Sequence, residues 1–247
     1  MMGYLGTIVN VFTVILGSLL GLLLKKGIPQ RLNHILFKAL GLVTIYMGIN
    51  GAITKDGNIL KVNTLIVVLC MILGTVIGEL IDIDKYINKV GKHLENKFSK
   101  SNSNSRIAEG FVSASMLFCI GSMTIVGCLN AGLKGDNSIL FTKSALDLCS
   151  SMIFASTMGV GVLFSAAFVF VYQGLLTLLA TFISPFLSSV VIDTMTCLGF
   201  IIIIGLGLSM VGAIKIKISN LILTMFLPIL ICPLWDFLIK FLPFLNI

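Results

Sequence analysis

The stretch from Leu148 to Ile192 contains 45 consecutive residues without one Asp, Glu, Lys, Arg or His. A transmembrane helix needs about 20 apolar residues, so this stretch is too long for a single span. It is also too apolar for a soluble domain, and it therefore predicts two helices that fold back within lipid. Lys143 and Asp147, four residues apart, immediately precede it, so we expect a charged pair beside a bilayer-spanning helix.

Composition assigns the whole chain to the class of membrane proteins. Hydrophobic residues make up 57% of the 247 residues, charged residues only 11%, and the mean hydropathy is +1.09. At about 20 residues per span there is room for about seven to nine helices and for no separate soluble domain. The net charge of +7 does not indicate nucleic acid, because the basic residues cluster in loops, where they meet lipid headgroups.

The apolar runs predict an all-α, polytopic transmembrane helical bundle of about eight spans. The predicted spans are Leu5–Leu24, Ile35–Ile53, Val62–Ile81, Gly110–Leu133, Ile139–Met158, Val162–Ile183, Val190–Ala213 and Ile218–Leu242. The fifth is either a complete span or a short, re-entrant half-helix, because Lys143 and Asp147 interrupt it and two glycines end it.

The positions of Lys and Arg predict the orientation. With eight spans, twelve of the seventeen Lys and Arg residues fall on one side, which the positive-inside rule makes cytoplasmic. Both termini are then outside. A seven-span arrangement would send Lys215 and Lys217 to the other side and break the asymmetry, so we prefer eight.

We expect one membrane domain over residues 1–247, with a front section (1–83), a cytoplasmic linker (84–106) and a back section (107–247). Ile87, Val90, Leu94 and Phe98 recur at helical spacing, which predicts an amphipathic helix lying on the inner headgroups. The polar run from Ser99 to Ser105 is typical of a flexible tether.

Small residues suggest both internal symmetry and close packing. Leu40-Gly41-Leu42-Val43 in the second span resembles Leu198-Gly199-Phe200-Ile201 in the seventh, which crosses in the opposite direction, so an inverted repeat is one hypothesis and chance similarity the other. Gly17-x-x-x-Gly21 and Gly74-x-x-x-Gly78 predict closely approaching helices, either within one subunit or in a homodimer.

The fifth span carries the main candidate site. Lys143, Ser144, Asp147 and Ser151 share one broad helical face, and the opposite face carries Leu140, Leu146, Leu148 and Ile153. An ionised Asp in the bilayer costs several kcal/mol unless it is paired, and Lys143 is one turn away. Either the pair marks an ion or proton pathway, or Lys143 reaches the outer interface and the pair only holds the helix in register.

Other polar residues in or beside the spans complete the candidate pathway. They are Ser122, Thr124, Asn10, Gln173, Glu79 and Glu109. The amides are expected to hydrogen-bond across helices, and the two glutamates bracket the cytoplasmic loop. No metal site or cofactor is expected, because the six cysteines form no C-x-x-C pair and none lies at ligand spacing from a histidine.

Several central motifs resemble one known family. They are Ala108-Glu109-Gly110-Phe111-Val112, the segment from Phe118 to Gly127, Phe141-Thr142-Lys143-Ser144, the segment from Phe154 to Ala166, and the opening Gly6-Thr7-Ile8-Val9-Asn10. In these the chain resembles the YdfK/YqgA-like bacterial integral membrane proteins over its full length. That family is a domain of unknown function, so the resemblance implies a location in the bacterial cytoplasmic membrane and little about activity.

Three functional classes follow from the sequence. We favour a transporter or channel for a small ion or polar solute, coupled to protons through Asp147, with membrane lipids and the solute as its partners. The alternative is a membrane scaffold or regulatory subunit that acts through the loop from Asp82 to Arg106. An enzyme is not expected, since both histidines lie in cytoplasmic segments and there is no H-E-x-x-H motif.

Overall fold

The computed structural model describes residues 2–25, 30–55, 58–86, 89, 107–120 and 122–241. Its helices are α1 (Leu5–Lys25), α2 (Gln30–Ile53), α3 (Thr64–Ile81), α4 (Ile107–Cys119), α5 (Ser122–Lys134), α6 (Ser138–Met158), α7 (Gly161–Leu178), α8 (Ala180–Ile183), α9 (Ser189–Val211), a 3₁₀ helix (Ile218–Met225) and α10 (Pro228–Phe241). Two 3₁₀ turns cover Met2–Tyr4 and Ser184–Phe186, and the two-residue strands Thr54–Lys55 and Asn58–Ile59 pair antiparallel.

Within these residues, six helices are individually long and apolar enough to cross a membrane. They are α1, α2, α3, α6, α7 and α9. Two further spans are bent pairs: α4 and α5 meet at 61°, and the 3₁₀ helix and α10 meet at 41°. The prediction of an all-α polytopic membrane bundle is therefore confirmed, with six to eight spans.

The structure interrupts the fourth and eighth spans, whereas the fifth span, for which the sequence left a half-helix open, is continuous. The fifth span, α6, is one unbroken helix of 21 residues. The fourth span breaks between Cys119 and Ser122, and the eighth breaks just before Pro228. Proline lacks a backbone donor and fits the first position of a helix, which explains the second break.

The first and fifth spans pack in parallel through glycines. Gly6 lies against Leu140, Gly17 against the Leu148 carbonyl, and Gly21 against the Met152 carbonyl and Ala155, so residue numbers rise together along α1 and α6. A Cβ at Gly17 or Gly21 would collide with the backbone of α6. The predicted close approach at Gly17 and Gly21 is thus confirmed.

The second and seventh spans pack antiparallel. A Cβ on Gly41 would meet the Gly207 carbonyl oxygen at 3.0 Å, and one on Gly207 would meet the Gly41 oxygen at 2.6 Å. Gly48 lies against Ile204, further along α2 and further back along α9. This antiparallel pairing is what an inverted repeat requires, and the repeat itself stays a prediction.

The bent fourth span runs the whole length of α7. Its start, Ile107, lies against Gly161 at the beginning of α7, and Gly132 near its end lies against Thr177 and Ala180. The two half-helices together therefore traverse the bundle in the direction of α7. All of these directions agree with eight alternating crossings, in which odd-numbered spans run parallel to one another.

The linker predictions concern a different part of the chain. The amphipathic helix expected around Ile87 to Phe98 and the tether from Ser99 to Ser105 fall almost entirely outside the described residues. Their structure stays a prediction.

Candidate functional site

The lysine and aspartate of α6 form a buried ion pair. Lys143 Nζ donates to Asp147 Oδ2, and the two residues are only 5% and 6% exposed. Asp147 lies about half-way along the helix, so its backbone is near the middle of the span. Lys143 is therefore buried in the bundle and paired within its own helix, and both interpretations of the pair, a pathway and a register-holding contact, stay predictions.

Asn10 of α1 completes the cluster. Its Nδ2 donates to Asp147 Oδ2 over 3.0 Å, and Asn10 is fully buried. One turn earlier, the Gly6 N–H donates to Asn137 Oδ1 over 2.8 Å, which fixes the start of α6 against α1. Sequence analysis placed Asn10 among the pathway residues without identifying its partner.

The predicted polar face of α6 is buried, but its serine hydroxyls donate hydrogen bonds to carbonyls of the same helix. Ser144 donates to the Leu140 carbonyl over 2.7 Å, and Ser151 to the Leu148 carbonyl over 3.0 Å. They line the interface with α1 without contributing a hydrogen bond to the ion pair. On the opposite face, Leu146 and Ile153 are exposed as expected, but Leu140 is fully buried against Gly6 and Gly127, so its predicted placement was wrong.

The break in the fourth span lies beside the pair. Both halves of this span, α4 and α5, pack against α6, the helix that carries the pair. Thr124 of α5 is fully buried and donates to the Phe118 carbonyl over 3.3 Å, which satisfies one of the carbonyls left open where α4 ends. Helix ends carry partial charges, so the break adds oriented dipoles near the ion pair. The side chain of Ser122 is outside the described part.

Gln173 lies in the interior on α7. It is fully buried, on the stripe of α7 that also carries Val169 and Thr177. Neither its Nε2 nor its Oε1 has a hydrogen-bond partner among the described residues. Its burial in a span agrees with the prediction, but the expected hydrogen bond to another helix is absent in this part of the chain.

Glu79 belongs to a separate, exposed cluster at the end of α3. Lys217 Nζ donates to Glu79 Oε1 over 2.7 Å and to Asp82 Oδ1 over 3.3 Å, and Asn220 Nδ2 donates to Glu79 Oε2 over 2.6 Å. The hydrogen bonds that Lys217 donates to Glu79 and, second, to Asp82 raise the pKa of its ammonium group. The structure places Glu79 in this cluster and not beside the ion pair, so its role in a pathway stays a prediction.

Glu109 lines an open cleft of about 390 Å³ at the same end of the bundle. Asp84, Ser113, Ser209 and Ser219 also line it. The carboxylate of Glu109 is thus at a mouth of the bundle and not in the charged cluster on α6.

A small apolar cavity of about 40 Å³ lies deeper in the bundle. Val112 lines both this cavity and the open cleft, and the deeper cavity extends to Cys119 and Tyr172 at the break in the fourth span. Neither cavity is lined by Lys143 or Asp147. In this conformation the ion pair is enclosed by protein.

Metal binding has no support in the described residues. No group of three or more His, Cys, Asp and Glu side chains converges there as a metal site. The cluster of Asn10, Lys143 and Asp147 offers hydrogen-bond and proton chemistry instead.

Thr7 is one of several buried polar residues that the sequence reasoning did not include in the site, and it lies closest in the chain to Asn10. It lies in the first turn of α1, where a threonine is expected near the lipid headgroups, yet it is fully buried. Its hydroxyl has no partner in the described part of the chain. Its position one turn before Asn10, on the same face of the predicted helix, could have indicated that it is buried with Asn10.

Comparison with known proteins identifies similar chains. Residues 5–233 match the family DUF554, described as a protein of unknown function. The chain is 38% identical over 223 residues to the uncharacterized membrane protein YdfK of Bacillus subtilis (strain 168), covering 90% of this chain and 93% of YdfK. It is 27% identical over 234 residues to the uncharacterized protein YqgA of Escherichia coli (strain K12), covering 94% and 97%. No solved structure matches.

Proposed function

The chain belongs to the DUF554 family, and we propose that it is a transporter or channel for a small ion or polar solute, coupled to protons through Asp147. The observation that carries this proposal is the enclosed cluster of Asn10, Lys143 and Asp147 half-way through the bundle. Ionisable residues inside membrane spans characteristically mark ion, proton or solute pathways.

Stabilisation of the fold alone does not explain why such an ion pair is buried. Removing a lysine and an aspartate from water costs several kcal/mol per ion, and well-packed apolar residues often serve stability as well or better. The glycine contacts already hold α1 against α6 at Gly6, Gly17 and Gly21. These contacts already fix the register of α1 against α6 without the ion pair. This favours a role for the pair in proton or solute movement.

The break beside the pair also favours transport. Secondary transporters often build their sites from discontinuous helices near the middle of the membrane, where freed backbone groups and helix ends contact the substrate. Here α4 ends at Cys119, and both α4 and α5 pack against α6, which carries the two charges. The bent span supplies an element whose two halves can move against each other.

The two cavities suggest a route on one side. The cleft with Asp84 and Glu109 opens at one end of the bundle, and Val112 separates it from the apolar cavity that reaches Cys119. We infer an enclosed state in which apolar side chains close the path to the cleft. On the predicted orientation, in the bacterial cytoplasmic membrane with both termini outside, the cleft faces the cytoplasm.

Reconstitution tests the proposal without knowledge of the substrate. Purified protein is placed in liposomes loaded with the pH indicator pyranine, and amino acids, carboxylates, sugars, amides and monovalent cations are added one at a time. We expect at least one compound to drive a proton flux above that of protein-free liposomes. Asp147→Asn should reduce this flux by about tenfold or more, since it removes the proton-carrying group.

A matched control lies just before the same helix. Asp136 is exposed, and the Ser138 hydroxyl and backbone N–H hold the pKa of its carboxyl below the ordinary value. Asp136→Asn makes the same chemical change at the surface and should leave the flux within about twofold of wild type. Equal flux in the two variants, or no flux with any compound, would overturn the proposal.

A further inference from the structure

Six residues on α1 and α7 have buried side-chain polar atoms without hydrogen-bond partners in the described part of the chain: Thr7, Asn10, Ser18, Tyr172, Gln173 and Thr177. Three of the six form the group that we consider. They are the Thr7 hydroxyl, Asn10 Oδ1, and both Nε2 and Oε1 of Gln173, and all three residues are fully buried. Buried polar groups in native proteins are nearly always hydrogen-bonded to protein or to ordered water. Three such residues together therefore call for an occupant.

The packing of α1 on α7 brings these residues into one seam. A Cβ on Gly3 would meet Thr177 at 3.8 Å, which places the start of α1 against the end of α7. The helices run antiparallel, because α1 is parallel to α6 and a two-residue turn joins α6 to α7. One helical turn inward from this contact lie Thr7 on α1 and Gln173 on α7.

The seam ends at the ion pair. Asn10 lies one turn beyond Thr7, and its Nδ2 binds Asp147 while its Oδ1 stays without a partner. Thr7, Asn10 and Gln173, which we call the polar seam, thus lead from the N-terminal end of the bundle to the enclosed charges.

The chemistry of the polar seam selects the occupant. Gln173 offers a donor and an acceptor, Asn10 Oδ1 an acceptor, and the Thr7 hydroxyl either one. The adjacent charges of Lys143 and Asp147 compensate each other, so a cation would meet the ammonium and an anion would meet the carboxylate. An uncharged molecule that both donates and accepts hydrogen bonds avoids both conflicts.

We propose that the polar seam binds a small uncharged solute of the amide or polyol class and delivers it to the ion pair. This proposal rests on the proposed function and specifies its substrate class. The seam is about one helical turn long, about 5.4 Å, which restricts the solute to a small molecule.

Uptake measurements test the proposal directly. Proteoliposomes are incubated with labelled urea, acetamide or glycerol, and water permeability is followed separately by light scattering. We expect at least one solute to enter faster than into protein-free liposomes. Gln173→Leu and Thr7→Val should each lower this uptake by about fivefold or more, because each removes hydrogen-bonding atoms from the seam.

Thr194 and Thr196 of α9 provide matched controls. Both are buried, and their hydroxyls donate to the Val190 and Ile192 carbonyls of their own helix over 2.8 and 2.7 Å. Thr194→Val and Thr196→Val make the same change as Thr7→Val and should leave uptake within about twofold of wild type. Thr7→Val nearly conserves the side-chain volume. It therefore still tests the proposal if Gln173→Leu does not fold.

Several outcomes would overturn the proposal. They are uptake of no solute, uptake unchanged by Thr7→Val, and permeation of water alone, which would assign the seam to ordered water. The pyranine flux and its loss in Asp147→Asn are measured independently. A persistent Asp147-dependent flux without solute uptake would therefore reject the substrate class and leave the proposed function standing, whereas loss of both would reject both.

Discussion

Asn10 and Asp147 lie 137 residues apart in the chain and are joined by a hydrogen bond of 3.0 Å from Asn10 Nδ2 to Asp147 Oδ2. This bond ties the first span to the fifth at the level of the buried ion pair. It gives the carboxylate a second donor besides Lys143, which lowers the cost of keeping a charge away from water.

Asn10→Ala should destabilise the protein by about 1.5–3 kcal/mol, the usual range for a hydrogen bond to a charged group. Thermal unfolding in detergent measures the loss. Thr13→Ala is the control, because within the described ranges the Thr13 hydroxyl donates only to the Asn10 carbonyl of its own helix, over 2.8 Å. If Asn10→Ala is no less stable than Thr13→Ala, the bond to Asp147 contributes nothing to the fold.

Gly17→Val should prevent the close approach of α1 to α6. A side chain at this position would collide with the Leu148 carbonyl and the Ser151 hydroxyl, and backbone cannot move aside without separating the helices. We expect a loss of about 3 kcal/mol or more, seen as aggregation or a lower unfolding temperature.

The control for this change is Gly174→Ala on α7. An added Cβ there meets nothing within 4 Å. Alanine is favoured over glycine in a helix by about 1 kcal/mol, so this variant should be as stable as wild type or more stable. Comparable damage from both variants would show that the packing at Gly17 is not specific.

Lys143→Met should be more harmful than an ordinary core substitution, because it leaves the Asp147 carboxylate buried without its cationic partner. Breaking a buried ion pair by removing one member typically costs about 3–5 kcal/mol. The free energy of unfolding, measured beside that of the control Leu146→Met on the exposed face of the same helix, gives the result. A loss below about 1 kcal/mol would mean that Asp147 does not depend on Lys143.

Deletion of Ser99–Ser105 should leave the solute-driven proton flux within about twofold of wild type, because a tether contributes length and no binding contacts. The same pyranine assay measures it. Loss of flux in a deletion variant that still folds would favour the alternative in which the cytoplasmic loop carries the function.

The sequence predicted what depends on composition and on local spacing. Charge-free runs gave the spans, and the four-residue spacing of Lys143 and Asp147 gave their pairing within one helix. The break after Cys119 was not predictable from hydropathy, because Ile120, Gly121 and Ser122 sit in a run without a charged residue, whose scattered serines and threonines single out no one position. Its position depends on packing, including that of Gly199 of α9 against Ile120.

Hydrogen bonds between residues of different spans could not be predicted for the same reason, since they too depend on packing. Asn10 and Gln173 look alike in the sequence, as single amides in apolar helices. The fold pairs Asn10 with Asp147 and leaves the Gln173 amide without a partner among the described residues. The burial of Thr7 was likewise not predictable from its place in the first turn of α1.

The most direct test of the central claim is the solute-driven proton flux of the double variant Lys143→Met/Asp147→Leu. Removing both charges leaves no unpaired ion, so this variant should fold and recover much of the stability that Lys143→Met loses. We predict a folded protein in liposomes whose flux equals that of protein-free liposomes. A folded double variant with the wild-type flux would contradict the account, because the ion pair would then serve the architecture alone.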